Sequence, residues 1–148
     1  MAPKEIRTAL PYKLLFVDDD HTFAQVTARA LMRRGFEVEV AHDLGSALDL
    51  AHSETDYAVV DLKLGNESGL DLLSPLKARN PAMRILVLSG FATIETVMEA
   101  IRRGATCFLA KPVNVDTIVA ALREDHCNPI ESQWSPPDLI CNLGDTDE

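Results

Sequence analysis

The sequence predicts a doubly wound α/β domain, a five-stranded parallel sheet with helices on both faces. Three observations predict it. Four short apolar runs, Leu14-Leu15-Phe16-Val17, Tyr57-Ala58-Val59-Val60, Ile85-Leu86-Val87-Leu88 and Cys107-Phe108-Leu109-Ala110, have the length and continuity of buried central strands. Segments with apolar residues at helical spacing separate them. Strand and helix alternate five times along the chain, an order that gives a parallel sheet with right-handed crossovers.

Each element has its own signal. Residues 1–11 read as a loose lead-in closed by Pro11. The first strand is 13–17. A helix over 21–34 has apolar residues at Phe23, Val26, Ala30 and Leu31, a helical spacing; Arg33 and Arg34 suit its negative end and Gly35 can take the left-handed cap. Residues 36–40, Phe-Glu-Val-Glu-Val, alternate with period two, so this second strand has one polar face and belongs at the sheet edge. Asp43 is an N-cap for a helix running to about His52. The third strand ends at Asp61, and 62–69 is a loop with Gly65, Asn66, Ser68 and Gly69 as turn residues. A helix over 70–79 contains Pro75, a kink or a misplaced boundary, and Asn80-Pro81 stops it. Strand four is 84–88. Thr93 caps a helix ended by Arg102, Arg103 and Gly104. Strand five is 106–110, and Asn114 or Asp116 opens a last helix through Arg123.

Bulk properties bound the function. At 148 residues and 47% apolar content, the chain fits one soluble domain with an ordinary core. No apolar run approaches the ~20 residues that span a bilayer, and the first residues lack a signal-peptide core, so a cytoplasmic protein with no membrane contact is expected. The net charge of −9 is concentrated in residues 124–148, which hold seven acids and neither Lys nor Arg. That segment is aperiodic and is expected to be a disordered acidic tail. Nothing in the chain makes a basic footprint for nucleic acid. Cys107, Cys127 and Cys141 form no CxxC pair and are expected as free thiols, Cys107 as a small buried hydrophobe. His21, His42 and His52 lie on separate elements, and His126 with Cys127 in the tail makes no convincing zinc pair.

Chemistry gathers at the strand ends. In open parallel sheets, ligands bind at the carboxyl edge. The first strand ends in Asp18-Asp19-Asp20, the third in Asp61, the fourth in Ser89 and the fifth in Lys111-Pro112. Carboxylates crowded there repel unless a cation joins them. Hard oxygen ligands suit Mg²⁺, held by Asp19 and Asp61 with Asp18 through water. Asp61 is then a nucleophile for a phosphoryl group, with Lys111 supplying a cation and Ser89 a hydroxyl. Singly, each residue has an ordinary reading: Asp18 or Asp20 can cap the next helix, Ser89 can simply end a strand, and Lys-Pro can be a turn. Their convergence on one edge argues for a site.

These motifs resemble the receiver domain of bacterial two-component response regulators. The likeness covers residues 12–123. It rests on Val17-Asp18-Asp19-Asp20, Val59-Val60-Asp61, Gly69 eight positions later, Leu88-Ser89-Gly90, and Phe108 three before Lys111-Pro112. Asp61-Leu62-Lys63-Leu64 and Leu109-Ala110-Lys111-Pro112 are most similar to the redox and photosynthesis group of global regulators. The resemblance implies a flavodoxin-like sheet of strand order 2-1-3-4-5. It implies that Asp61 accepts phosphoryl from a sensor histidine kinase or phosphotransfer protein. Asp18, Asp19, Asp61 and the backbone carbonyl of Lys63 would hold Mg²⁺, and Lys111 would pair with the phosphoryl group. Ser89 would move toward it, and Phe108 would turn inward, shifting the face made by the fifth strand and its flanking helices. Such a domain is a phospho-accepting signalling module whose only catalysis is its own phosphorylation and dephosphorylation, and its relatives often dimerise on phosphorylation.

Departures also matter. Gly65 stands where many receivers have proline, and Gly90-Phe91 replaces a small residue after the hydroxyl. Redox-type relatives continue into a basic helix-turn-helix, whereas 124–148 offers no recognition helix. Two functions stay open. One is a receiver that switches its face to control a partner. The other is a transcription regulator whose DNA-binding part is missing, so that this chain alone makes no DNA contact. An aspartate-nucleophile phosphatase is weak, because Lys63 occupies the place of the second Asp that such enzymes carry.

Overall fold

The computed structural model describes residues 12–90 and 93–123. Strands β1 (Tyr12–Val17), β2 (Phe36–Ala41), β3 (Tyr57–Asp61), β6 (Arg84–Ser89) and β7 (Cys107–Ala110) form one parallel sheet in the order β2-β1-β3-β6-β7. In order of the five predicted strands this is the expected 2-1-3-4-5. Helices α1 (His21–Arg33), α2 (Leu44–Leu50), α3 (Leu70–Arg79), α4 (Ile94–Arg102) and α5 (Val115–Arg123) connect and cover it.

The central strands are buried on both faces because their apolar residues are continuous. Leu14 and Phe16 pack with Ala24, Leu31, Ile118 and Leu122 of α1 and α5. Leu15 and Val17 point the other way, toward Ala47, Leu72, Leu76 and Val97 of α2, α3 and α4. Each fully buried Leu or Val stabilises by about 1.5–3 kcal/mol relative to exposure, and both faces draw on the same strands. β2 is the edge the alternation predicts, with Glu37 and Glu39 exposed. Gly35 and Gly104 take φ of 99° and 114° after α1 and α4, the left-handed position where glycine avoids a Cβ clash.

Several expectations are corrected. The loop 62–69 contains a small antiparallel hairpin, β4 (Lys63–Leu64) and β5 (Glu67–Ser68). Helix α2 stops at Leu50 rather than His52 because Ala51 is extended at ψ 138°. Arg79 donates to the Leu48 and Ala51 carbonyls at 2.6 and 2.8 Å, so the freed helix end has its partner. Pro75 stands inside α3 without ending it. Asn114, not Asp116, caps α5, accepting from the Thr117 N–H at 2.9 Å. Cys107 is buried as expected but is disulfide-bonded, which corrects the free-thiol expectation there. The expected acidic tail, Cys127, Cys141 and Phe91 lie outside the described residues.

Candidate functional site

The three aspartates after β1 divide their work. Asp20 is the helix cap: its Oδ1 accepts from the Phe23 N–H at 3.0 Å. Asp18 is therefore free of that duty and turns into the sheet edge, where it is fully buried. Its Oδ1 accepts from the Asp20 N–H at 2.9 Å and its Oδ2 from Lys111 Nζ at 2.9 Å. Asp19 is exposed, and its Oδ2 accepts from the Gly65 N–H at 2.8 Å. Asp61, at the end of β3, is buried; its Oδ1 accepts from the Lys63 N–H at 3.2 Å and its Oδ2 from Lys111 Nζ at 3.1 Å.

Lys111 is placed by the sheet. Its N–H donates to the Ser89 carbonyl at 2.8 Å, tying the ends of β7 and β6. The side chain then crosses toward β1, passing 4.6 Å from the centroid of the Phe23 ring. One ammonium thus bridges Asp18 and Asp61. Burial pushes the Asp18 carboxyl above the ordinary aspartate range, although the Asp20 N–H and Lys111 both oppose that. For Lys111, burial disfavours the charge, but its two carboxylate partners outweigh it and raise the pKa above that of an ordinary lysine.

Ligand oxygens of Asp18, Asp19 and Asp61 lie within 4.8 Å of one another. An all-carboxylate set of this size fits a hard divalent cation, since each oxygen carries charge and no soft donor is present. Beside it opens a cleft of about 440 Å³ whose walls include Asp61, Lys63, Ser89, Lys111, Glu67 and Thr96. Ser89 is buried at its edge.

The fold brings together five of the predicted residues: Asp18, Asp19, Asp61, Ser89 and Lys111. Lys63 follows directly, its N–H on Asp61 and its side chain exposed. Phe108 is not in the cleft. It is fully buried behind it, opposite Val87 of β6, in the core face shared with Val97 and Ala100 of α4. Three contributors went unrecognised in the sequence. His42 Nδ1 lies 2.8 Å from the Asp18 carbonyl and its ring stacks on His21 at 3.6 Å. Glu67 and Thr96 line the cleft from elements that only the fold brings near. Gly69 has a sharper role than its spacing told: a Cβ there would stand 2.2 Å from the Asp61 carbonyl oxygen and 2.9 Å from Val60 Cγ1.

The family model for the response regulator receiver domain matches residues 14–123. The acid tolerance regulatory protein ActR of Sinorhizobium medicae is 39% identical over 124 residues, which cover 83% of this chain and 64% of ActR. The photosynthetic apparatus regulatory protein RegA of Rhodovulum sulfidophilum is 38% identical over 123 residues, 82% of this chain and 67% of RegA. The chain thus spans about two thirds of the length of these regulators. Among solved structures, a response regulator from Burkholderia pseudomallei, with a phosphorylated aspartic acid, a calcium ion and citrate, superposes at a TM-score of 0.73 with 40% identity, covering 93% of this chain and 75% of that one. The Vibrio cholerae chemotaxis protein CheY4 gives 0.71 at 29% identity, over 76% and 96% of the two chains.

Proposed function

The chain belongs to the receiver-domain family of two-component response regulators, and from that membership we propose that Asp61 is its phosphoryl acceptor, with residues 12–123 as the receiver unit. The observation that carries this is the bridging of Asp61 and buried Asp18 by one ammonium, Lys111, within a cluster of three carboxylates. A carboxylate oxygen of Asp61 attacks phosphorus. The bond from phosphorus to the donor nitrogen breaks, and that nitrogen leaves with the electron pair and takes up a proton. The donor is a phosphohistidine on a sensor kinase or phosphotransfer protein. Lys111 then donates to a phosphoryl oxygen in place of the carboxylates, and the Ser89 hydroxyl hydrogen-bonds another.

Asp18, Asp19, Asp61 and the Lys63 carbonyl would hold Mg²⁺, which supplies positive charge against the oxygens of the phosphoryl group. Among the described residues, no helix is long and apolar enough to cross a membrane. The output surface is the α4-β7-α5 face. Phe108 is already turned inward and fully buried, which corrects the expectation that it turns inward on phosphorylation. Ser89 moving toward the phosphoryl group instead changes the packing beside the ring, and α4 follows because Phe108 packs with Val97 and Ala100. Met98 and Ile101 of α4 are 44% and 37% exposed, an apolar strip suited to a partner or to a second copy of the chain. Because the named relatives are regulators of which this chain spans only part, a second reading is that the switch serves a DNA-binding output and controls transcription.

The test is intact-mass spectrometry after incubation with acetyl phosphate, with and without Mg²⁺, on the native chain and Asp61→Asn. A Mg²⁺-dependent gain of one phosphoryl group that the variant lacks is expected. Equal gain in the variant would remove Asp61 from the role.

A further inference from the structure

The cleft beside Asp61 contains a charge that the acceptor chemistry does not use. Glu67, on β5, lines it. Its Oε1 accepts from the Leu44 N–H, in the first turn of α2, at 3.1 Å. The hairpin that carries it is fastened at two further points, by the Gly65 N–H on Asp19 and the Lys63 N–H on Asp61. The carboxylate is therefore held at the rim rather than swinging in solvent. A fixed negative charge at the mouth of a cleft that must admit an anion works against that anion, in proportion to the charge it carries.

We propose that Glu67 is a specificity-determining residue that disfavours small, highly charged phosphoryl donors and so reserves Asp61 for phosphoryl groups delivered on a protein. This rests on the phosphoryl-acceptor reading above. A small donor has only its phosphoryl group and leaving group with which to offset the repulsion. A protein donor binds over a surface outside the cleft, and that remote binding energy offsets the same cost. Lys63 and Lys111 still attract the donor inside the cleft, so Glu67 sets a selective barrier rather than a block. The carboxylate is exposed, so its influence is screened by salt.

The experiment compares two small donors. Acetyl phosphate is a dianion near neutral pH; with it the phosphorus–oxygen bond breaks and acetate leaves with the electron pair. Phosphoramidate carries one net negative charge; with it the phosphorus–nitrogen bond breaks and ammonia leaves. Initial rates of mass gain are measured at saturating Mg²⁺ on the native chain, Glu67→Gln and Glu67→Ala. Glutamine keeps an acceptor for the Leu44 N–H and removes only the charge. At low salt, Glu67→Gln is expected to speed acetyl phosphate labelling about fourfold and phosphoramidate labelling about twofold, since the repulsion scales with donor charge. At about 0.5 M salt both rates should approach the native ones, and Glu67→Ala should match Glu67→Gln. No acceleration, an equal acceleration for both donors, one that persists in salt, or one seen only in Glu67→Ala would overturn the proposal. A native chain labelled by neither donor would overturn the acceptor reading itself, and so is told apart from those outcomes.

Discussion

Lys111→Met is the most informative single change. Methionine keeps an unbranched stem in place but removes the ammonium that lies 2.9 Å from Asp18 and 3.1 Å from Asp61. Breaking one partner out of a fully buried ion pair costs about 3–5 kcal/mol, because the remaining charge is left uncompensated. The Lys111 side chain is 24% exposed, so solvent relieves part of this and about 2–3 kcal/mol is expected. For a domain of this size that lowers the urea midpoint by about 1–2 M. The loss has a pH signature. Burial already holds the Asp18 carboxyl above its ordinary value of 3.8, and without Lys111 it rises further. A carboxyl whose folded pKa exceeds its unfolded one binds its proton more tightly when folded, so stability increases as pH falls toward the unfolded value. The deficit of the variant should therefore be largest at pH 7 and above and shrink toward pH 5. Saturating Mg²⁺ should shrink it as well. Urea titrations at two pH values, with chelator and with Mg²⁺, provide the check. A deficit that ignores both pH and Mg²⁺ would refute the electrostatic account and leave only lost packing.

Three other outcomes follow from the same geometry. Asp18→Asn should raise the stability of the metal-free protein at neutral pH, since burial disfavours the charged carboxylate there, read by urea unfolding with chelator present. The same change should weaken Mg²⁺ binding at least about tenfold, read by calorimetry. Gly69→Ala should cost about 2–3 kcal/mol or more by thermal or urea unfolding, because the new methyl meets backbone at 2.2 Å, and should slow labelling of Asp61. The Ser46 N–H on Asp43 lowers the pKa of this helix cap, so its contribution is present above the ordinary aspartate range and fades as pH falls through the lowered value. Asp43→Asn, which still caps but does not titrate, should flatten that part of the acid unfolding profile.

Much of this architecture is legible in the sequence because the strands are buried on both faces and so read as unbroken apolar runs. The site residues are legible for a related reason: Asp18, Asp61, Ser89 and Lys111 each directly follow such a run and Asp19 comes one residue later, so the register of the strand fixes where the side chains emerge. What was not legible depends on contacts far apart in the chain. Asp18 and Asp20 were equal candidates for the helix cap until Lys111, across the sheet, claimed Asp18. The end of α2 is set partly by Arg79 reaching the Leu48 and Ala51 carbonyls. Strands of two residues have no periodicity, so the β4–β5 hairpin looked like any loop. Glu67 and Thr96 had no motif to mark them, and their place on the cleft wall comes from the crossovers alone.

The polar edge strand has a further consequence. An open parallel sheet offers unpaired backbone at its sides and is a template for strand addition by another molecule. At one side of this sheet, Glu37 and Glu39 project outward from β2, so an identical strand laid alongside would stack like charges. At the other, β7 is only four residues long. Growth of the sheet into a fibre is disfavoured at both margins. Assembly of the receiver is thereby steered to its helical surfaces, among them the α4-β7-α5 face that we propose as the output surface.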